Sequence, residues 1–257
     1  MEDIKHWIWL SRLDLCPKNV INFFNNNNIE TLWNAKEKDL NNFFKKEEKD
    51  RILNPKYKLG LKQYEQYIKK YGIKPITIKD TNYPKKLKNI DDFPIVIYAI
   101  GNLETLQEKN ISIVGARKCT DYGTNVAKAF AYSLTKHNIV ITSGLAIGID
   151  KSAHEGALLA KGKTIAVVGT GLDIIYPKEN KNLFEDIIKN NGLVISQFPL
   201  GTKPEKVNFP KRNKIISALS DGVLVVEAGI KSGSLITAEF ALEQGKEIYA
   251  VPRKYSK

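Results

Sequence analysis

The sequence predicts a doubly wound α/β fold with a mostly parallel sheet, preceded by a small helical domain. Three observations lead to this expectation. From residue 111 onward, short apolar runs alternate with longer amphipathic segments. Glycines follow most of these runs, as expected where a strand turns sharply into a helix. The first 70 residues lack such runs and show the periodicity of short helices instead.

The helical domain is predicted over residues 1–72. Ile4 and Ile8 begin the apolar face of a first helix, and Thr31 is placed to cap a later one. Residues 36–51 are expected to form one charged surface helix with a single buried stripe. A further helix, which ends near the glycine at position 72, is predicted to carry three apolar residues: Leu59, Leu61 and Tyr64.

The second domain is predicted over residues 73–257 and begins with two short strands, at 76–78 and 95–98. Later strands are predicted at 111–115, 139–142, 164–169, 193–196, 223–227 and 247–251. The helices between them are predicted at 121–136, 149–160, 180–190, 211–219 and 234–244. Because right-handed crossovers keep such strands parallel, their carboxyl ends are expected along one edge of the sheet.

The charge balance favours a polyanionic partner. Lysine and arginine number 40 against 28 acidic residues, which gives a formal net charge of +12. Nucleic acid and an anionic membrane surface are the two classes of partner that such a charge attracts. A lysine-rich genome composition would raise the charge in the same way. Both halves of the chain are basic, so the charge alone does not locate a site.

The remaining bulk features favour the cytoplasm. Cys16 and Cys119 are far apart and lack the spacing of a metal site or a disulfide framework. The N-terminus has neither the basic region nor the long apolar region of a signal peptide. No apolar run is long enough to span a bilayer. We therefore expect a protein of a reducing compartment, without membrane insertion, metal or other cofactor.

Glycines at the ends of the predicted strands indicate an anion-binding edge. Gly115, Gly144, Gly169 and Gly171 lie at such ends, and the hydroxyl group of Ser143 adjoins them. The helix N-termini that follow present free N–H groups and a partial positive charge. This combination suits phosphate groups.

Arg117 and Lys118 directly follow the first of these glycines. An arginine at a strand-to-helix turn can place two donors on one phosphate. The structural alternative is an ion pair between Arg117 and Asp121 at the start of the next helix. Asp150, near the start of a later helix, is interpreted as an N-terminal cap.

One segment combines cations with an aromatic residue, as single-strand binding sites do. Its members are Lys203, Lys206, Phe209, Lys211, Arg212, Asn213 and Lys214. Bases would stack on the aromatic ring while the cations hold the backbone. One alternative is a solvated basic loop whose phenylalanine anchors it to the core. Another is that Arg212 and Asn213 are a structural pair at the start of a helix.

Catalytic patterns are missing from the sequence. The segment GTGLD at 169–173 lacks the third glycine of a dinucleotide fingerprint, and no Walker lysine pattern occurs. His154 and Glu155 lack the spacing of a zinc protease motif, and no nucleophile elbow is present. No catalytic residue is therefore predicted.

Six segments, in this order, resemble the DNA-processing protein A (DprA/Smf) family. They are YPKKLKNIDDFPIVIYAIGNL at 83–103, GARK at 115–118, SGLAIGID at 143–150, GTGLDIIYP at 169–177, FPKRNKIISALS at 209–220 and VVEAGIKSGSLITAEFALEQGKEIYAVP at 225–252. Each is weak alone, but six in the right order are specific. The helical N-terminus is similar to the family's sterile-alpha-motif-like domain.

The resemblance implies a Rossmann-like domain that binds single-stranded DNA in a positive pocket, independently of sequence and without catalysis. It also implies protection of incoming DNA and help in loading the RecA recombinase during natural transformation. Arg117 matches the family's phosphate-gripping arginine, and the F-P-x-R-N segment contains Phe209, Arg212 and Asn213. The expected DNA-binding residues are Gly115, Arg117, Lys118, Ser143, Gly144, Gly169, Gly171, Phe209, Lys211, Arg212, Asn213 and Lys214.

A homodimer is a further implication of the resemblance. The family continues through a glycine, a loop and another helix beyond the segment that matches VPRKYSK at 251–257. The C-terminus is therefore interpreted as truncated, and dimerisation is left open.

Two other functions compete with DNA binding. A nucleotide or nucleoside-phosphate hydrolase on a related Rossmann-like fold often carries a P-G-G-x-G-T-x-x-E loop; here the region reads EAGIKSGSLITAE, with Glu239 in the place of the glutamate. The second competing function is that of a protein-interaction scaffold. It predicts that partner capture survives the loss of Arg117 and Arg212.

Overall fold

The computed structural model describes residues 4–230 and 232–252 and confirms the doubly wound α/β fold. Residues 253–257, the end of the predicted second domain, lie outside the described residues. The helices are α1 Ile4–Ser11, α2 Pro17–Phe24, α3 Ile29–Trp33, α4 Glu37–Leu40, α5 Lys46–Leu53, α6 Leu61–Lys70, α7 Asp121–Lys136, α8 Ile149–Leu159, α9 Lys181–Lys189, α10 Asn208–Leu219 and α11 Gly233–Glu243.

The described strands form one sheet in the order β1-β2-β6-β5-β4-β3-β7-β8. They are β1 Lys74–Thr77, β2 Val96–Gly101, β3 Asn110–Val114, β4 Val140–Ser143, β5 Thr164–Val167, β6 Leu193–Ser196, β7 Gly222–Val225 and β8 Glu247–Ala250. From β6 to β8 every pair is parallel, whereas β1 and β2 are antiparallel additions at one edge.

The strand order changes direction between β3 and β7. The chain moves outward from β3 through β4 and β5 to β6, then returns to place β7 on the other side of β3. Open α/β sheets bind ligands at the carboxyl-end edge, near such a change of direction. The loops after β3 and β7 are themselves in contact, since the Ala116 amide donates to the Glu227 carbonyl oxygen at 2.7 Å. Space for a ligand at this edge must therefore lie on the β4 side of β3.

Small side chains allow α7 and α8 to pack closely against each other. Ala127 and Ala131 of α7 are fully buried, as are Ala153 and Ala157 of α8. A Cβ atom added to Gly156 would collide with the Lys128 carbonyl oxygen. The close approach fixes where α8 begins, and with it the loop between β4 and α8.

The N-terminal helices pack against the antiparallel edge of the sheet. Trp9 is fully buried in a core cluster that also contains Tyr98 of β2. The Ser11 Oγ atom lies 2.7 Å from the Tyr98 hydroxyl oxygen. Because the two regions share one core, the boundary between residues 72 and 73 stays a prediction.

Three details of the N-terminal prediction were wrong. The expected helix over 36–51 is two short helices, α4 and α5. Asn28, rather than Thr31, caps α3, since its side chain accepts a hydrogen bond of 2.8 Å from the Thr31 amide. Leu59 is 70% exposed and precedes α6 instead of packing under it.

The basic aromatic segment is helical. α10 begins at Asn208, three residues before the predicted start, so Phe209 and Pro210 lie in its first turn. Proline is tolerated there because the amides of a first turn have no intrahelical acceptor. Side chains of this segment therefore point to different sides of a helix rather than along one loop.

Within the described residues, the longest helix, α7, has 16 residues. No helix there is both long and apolar enough to cross a bilayer.

Candidate nucleic-acid interface

A pocket of about 60 Å³ opens at the carboxyl ends of β3, β4 and β5. It lies on the side of the sheet where the strand order predicts a ligand crevice. Its lining residues are Arg117, Gly144, Ala146, Ile147, Gly169, Tyr176, Pro177, Phe209 and Arg212. Five of the residues predicted as a site thus meet in one place, although they come from four separate segments of the chain.

The ring of Phe209 is the centre of this pocket. The Arg117 guanidinium carbon lies 5.3 Å from the ring centroid, and that of Arg212 lies 5.8 Å from it. The Tyr176 ring is also 5.8 Å away, centroid to centroid, at an interplanar angle of 42°. Two cations and a second aromatic ring therefore surround one half-buried phenylalanine.

Arg117 is the exposed cation of the pair. The alternative ion pair with Asp121 is not observed, and Arg117 makes no ion pair within the part of the chain that the structure describes. Its guanidinium group is consequently available to an anion that enters the pocket.

Arg212, in contrast, is only 5% exposed and is bound mainly to the protein itself. Its Nη1 atom donates to the Gly144 carbonyl oxygen and, at 2.6 Å, to that of Val167. Its Nε atom donates to the Asn213 side chain at 3.0 Å. The Nη2 group has no hydrogen-bond partner within the described residues. Arg212 thus holds the ends of β4 and β5 together while presenting one edge to the pocket.

Asp150 lies beside this buried arginine and does not cap α8 as predicted. Its Oδ2 atom accepts hydrogen bonds from the Gly144 amide at 3.1 Å and the Ala146 amide at 3.4 Å, in the loop before the helix. Burial raises the pKa of Asp150, and the positive charge of Arg212 opposes that shift. Burial also lowers the pKa of Arg212 to about 10, against the effect of Asp150, so Arg212 remains charged at neutral pH.

Two glycines of the pocket are required by close packing. A Cβ atom at Gly144 would lie 2.6 Å from Arg212 Nη1 and 2.7 Å from Asp150 Oδ2. A Cβ atom at Gly169 would lie 3.0 Å from Cδ1 of Phe209. Each glycine therefore lets a side chain that lines the pocket lie directly on the backbone at a strand end.

Four predicted site residues have structural contacts instead of lining the pocket. A Cβ atom at Gly115 would lie 2.5 Å from Ile149, and one at Gly171 would lie 2.7 Å from the Pro199 carbonyl oxygen. The Ser143 hydroxyl donates to the Ile113 carbonyl oxygen at 2.7 Å. The Asn213 side chain donates to the Gly233 carbonyl oxygen at 3.0 Å, which ties α10 to α11.

Lys118 is exposed but is not among the lining residues. Lys211 and Lys214 lie on the other side of α10, in a cleft of about 910 Å³ that also adjoins the N-terminal helices. The Lys211 Nζ atom is 3.9 Å from Asp14, and that of Lys214 is 3.4 Å from Asp92. The structure does not bring these lysines to the Phe209 pocket, and both have acidic partners.

Four lining residues were absent from the predicted site: Ala146, Ile147, Tyr176 and Pro177. Ile147 is 41% exposed and Tyr176 is 38% exposed. Tyr176 carried a usable signal, because it is an aromatic residue in a loop that follows a predicted strand toward the same edge. Nothing in the sequence marked Ile147 as a lining residue except its position shortly after Gly144.

None of the lining residues is acidic. The Glu227 carboxylate at the end of β7 accepts hydrogen bonds from the Thr120 amide and hydroxyl, at 3.1 and 3.0 Å. Glu239 is exposed on α11 and is not among the lining residues. His154 is fully buried, and burial followed by the charge of Arg212 lowers its pKa to about 3. No group of metal-ligating residues occurs among the described residues.

Comparison with known proteins gives one consistent family. The model of the DNA recombination-mediator protein A family matches residues 74–257. The chain is 45% identical over 181 residues to protein Smf of Synechocystis, covering 69% of this chain and 45% of that protein. It therefore spans less than half the length of this relative.

Two solved structures resemble the whole chain or its larger part. The X-ray structure of DNA processing protein A from Streptococcus pneumoniae superposes with a TM-score of 0.77 at 34% identity, covering 99% of this chain and 88% of that one. The structure of DNA processing protein A from Helicobacter pylori concerns its single-stranded DNA binding mode. It superposes with a TM-score of 0.65 at 32% identity, covering 70% of this chain and 82% of that one.

Proposed function

The chain belongs to the DNA recombination-mediator protein A family, and from this premise we propose that it binds single-stranded DNA in the Phe209 pocket. The observation that carries the proposal is the ring of Phe209, flanked by two guanidinium groups in a pocket whose lining has no acidic side chain. A base stacks on such a ring, and its phosphates are attracted by the arginines.

The proposed division of labour follows from exposure. Arg117 is exposed and holds a phosphate with the free side of its guanidinium group. Arg212 is buried and positions the loops that follow β4 and β5. Its Nη2 group faces the bound DNA. Phe209 and Tyr176 supply the stacking surface. Contact through stacking and phosphates is independent of base sequence, since every base has an aromatic face.

Binding without catalysis is favoured over hydrolysis. A hydrolase of nucleoside phosphates needs a general acid or base within hydrogen-bond reach of the reacting bond. The pocket lining contains neither carboxylate nor histidine, and the Glu239 that the hydrolase alternative requires is exposed on α11. The scaffold alternative gives no reason for the two arginines to converge on Phe209.

We further propose that the protein protects incoming DNA during natural transformation and delivers the bound strand to RecA. This role is supported by family membership rather than by any contact in the pocket. A homodimer likewise stays a prediction. β8 lies at an edge of the sheet among the described strands, so one sheet edge there has no neighbouring strand.

The proposal is tested by binding of labelled single-stranded and double-stranded oligonucleotides over a range of salt concentrations. We expect retention of single strands, with an affinity that falls as salt rises because cations are released from the phosphates. Incubation with nucleoside monophosphates is the parallel test. Base release without oligonucleotide binding would establish the hydrolase instead.

Replacing Gly169 with alanine is expected to weaken single-strand binding by about threefold to tenfold, which is a modest share of a base-stacking contribution. The added methyl group would lie 3.0 Å from the Phe209 ring, so the ring must move from its position between the arginines. The φ angle of Gly169 is not in the left-handed region, so the backbone tolerates alanine. Titration with a labelled oligonucleotide measures the change. Gly229→Ala is the matched control because open space surrounds that position, and equal affinity of both variants would contradict the prediction.

A further inference from the structure

A second pair of aromatic rings lies outside the core, at the C-terminal end of α6, where Tyr71 directly follows the helix. The rings of Tyr67 and Tyr71 stack with centroids 4.3 Å apart and an interplanar angle of 32°. They are 37% and 45% exposed. The buried face of the same helix is formed by other side chains, Leu61, Tyr64 and Ile68. The exposed pair is therefore not needed to hold α6 in place.

One cation lies beside this pair, and two more are exposed on the same helix. The Lys70 Nζ atom lies 5.5 Å from the centre of the Tyr71 ring. Lys62 and Lys69 are exposed on the same helix. None of these three lysines makes an ion pair within residues 4–230 and 232–252. Exposed rings with unpaired lysines have the composition of a surface that stacks bases and attracts phosphates.

α6 lies near the sheet edge that contains the Phe209 pocket. The Leu200 amide donates to the Tyr64 hydroxyl at 2.5 Å. The next amide, of Gly201, donates to the Asp173 carboxylate at 2.9 Å. Tyr67 follows Tyr64 by three residues on α6, so it lies on a neighbouring part of the helix surface. Partial burial, the hydrogen bond to Tyr71 and then the Asp173 charge raise the pKa of Tyr67.

The same loop leads to the pocket. Asp173 precedes Tyr176 by three residues, and three residues of extended chain span at most about 11 Å. Tyr176 lines the pocket and faces Phe209. The loop of Asp173 therefore contacts the Leu200–Gly201 segment that holds α6 at one end and carries Tyr176, beside Phe209, at the other.

On the basis of the proposed function, we propose that a single strand leaving the Phe209 pocket passes Tyr176 and continues onto Tyr67 and Tyr71. A second base stacks on this pair, and Lys69 and Lys70 attract the neighbouring phosphates. The N-terminal region is then part of the DNA-binding surface, and the binding site is longer than the pocket. The Asp173 carboxylate has no ion pair within the described residues and repels phosphate, so the phosphates are assigned to the side of Lys70, next to Tyr71.

The test compares a short oligothymidine of about 6 nucleotides with a long one of about 16, a range typical of single-strand sites. The variant is Tyr67→Ala with Tyr71→Ala in the full chain, and Tyr67→Phe with Tyr71→Phe is its conservative counterpart. Tyr132→Ala is the matched control, since Tyr132 is 39% exposed on α7 with Lys136 Nζ 5.5 Å from its ring. Thermal unfolding verifies that each variant is folded.

We expect the double alanine variant to lose about tenfold in affinity for the long strand, which corresponds to about 1.4 kcal/mol, and to bind the short strand as the wild type does. The phenylalanine variant and Tyr132→Ala should bind both strands normally. Equal affinity of wild type and alanine variant for the long strand would overturn this inference and leave the pocket proposal intact. Failure of the wild type to bind either strand would overturn both.

Discussion

Replacing Arg212 with methionine is expected to lower the free energy of unfolding by about 3–5 kcal/mol, the usual cost of removing one partner of a buried charge pair. Methionine fills similar space but leaves the carbonyl oxygens of Gly144 and Val167 without their donor. It also leaves Asp150 buried without the opposing charge. Denaturant unfolding of both proteins measures the loss. Single-strand binding should be lost as well, because the loop of Gly144 is no longer held.

The destabilisation should depend on pH with a definite sign. Burial raises the pKa of folded Asp150, so this group favours folding below its unfolded pKa, about 3.9, and that contribution is lost as pH rises through the folded pKa. Without Arg212 the folded pKa rises further. The difference in stability between variant and wild type should therefore shrink as the pH is lowered from neutral toward 4.

A second substitution provides the control for this interpretation. Arg212→Met combined with Asp150→Asn removes both charges, so the double variant should regain part of the lost stability at neutral pH and show a weaker pH dependence. If Arg212→Met unfolded at the same denaturant concentration as the wild type, the hydrogen bonds of Arg212 would not stabilise the folded protein as we infer.

Replacing Phe209 with alanine is expected to weaken single-strand binding by about fivefold to a hundredfold, because base stacking on an aromatic ring contributes about 1–3 kcal/mol. The ring is the surface shared by Arg117, Arg212 and Tyr176. Phe209→Tyr keeps the stacking face and should bind nearly normally. Anisotropy titration with a labelled oligonucleotide measures both variants.

Phe130→Ala is the matched control for the ring. Phe130 is 45% exposed on α7 and is not among the residues that line the pocket. We expect its affinity to equal that of the wild type. If Phe209→Ala and Phe130→Ala bound the strand equally well while both remained folded, stacking on Phe209 would not be the basis of binding.

The sequence was a good guide to the α/β part of the fold. α7 and β6 have the predicted bounds, because a capping threonine begins the first and an apolar run defines the second. The antiparallel pairing of β2 with β6 could not be predicted, since it joins segments far apart in the chain. The break between α4 and α5 could not be predicted either, since residues 37–53 contain no glycine or proline.

The candidate site was predicted in part, since five of the nine lining residues were expected and four were not. Phe209, Arg117 and Arg212 meet as expected, but a charge in a sequence suggests exposure, and only the tertiary structure shows that Arg212 is buried. Had this helix been predicted to begin at residue 208 instead of 211, Lys211 and Lys214 would have been placed on a different side from Phe209. Residues 209 and 212 share one side of a helix, whereas 211 and 214 share another.

The central claim is that the pocket holds a phosphate of single-stranded DNA through Arg117. The most direct measurement is the slope of log affinity against log salt concentration for wild type, Arg117→Gln and Lys109→Gln. Lys109 is exposed just before β3, at the opposite end of that strand from Arg117. We expect Arg117→Gln to bind more weakly with a slope reduced by about 0.7, the loss of one phosphate contact, and Lys109→Gln to match the wild type. An unchanged slope and affinity in folded Arg117→Gln would contradict the account.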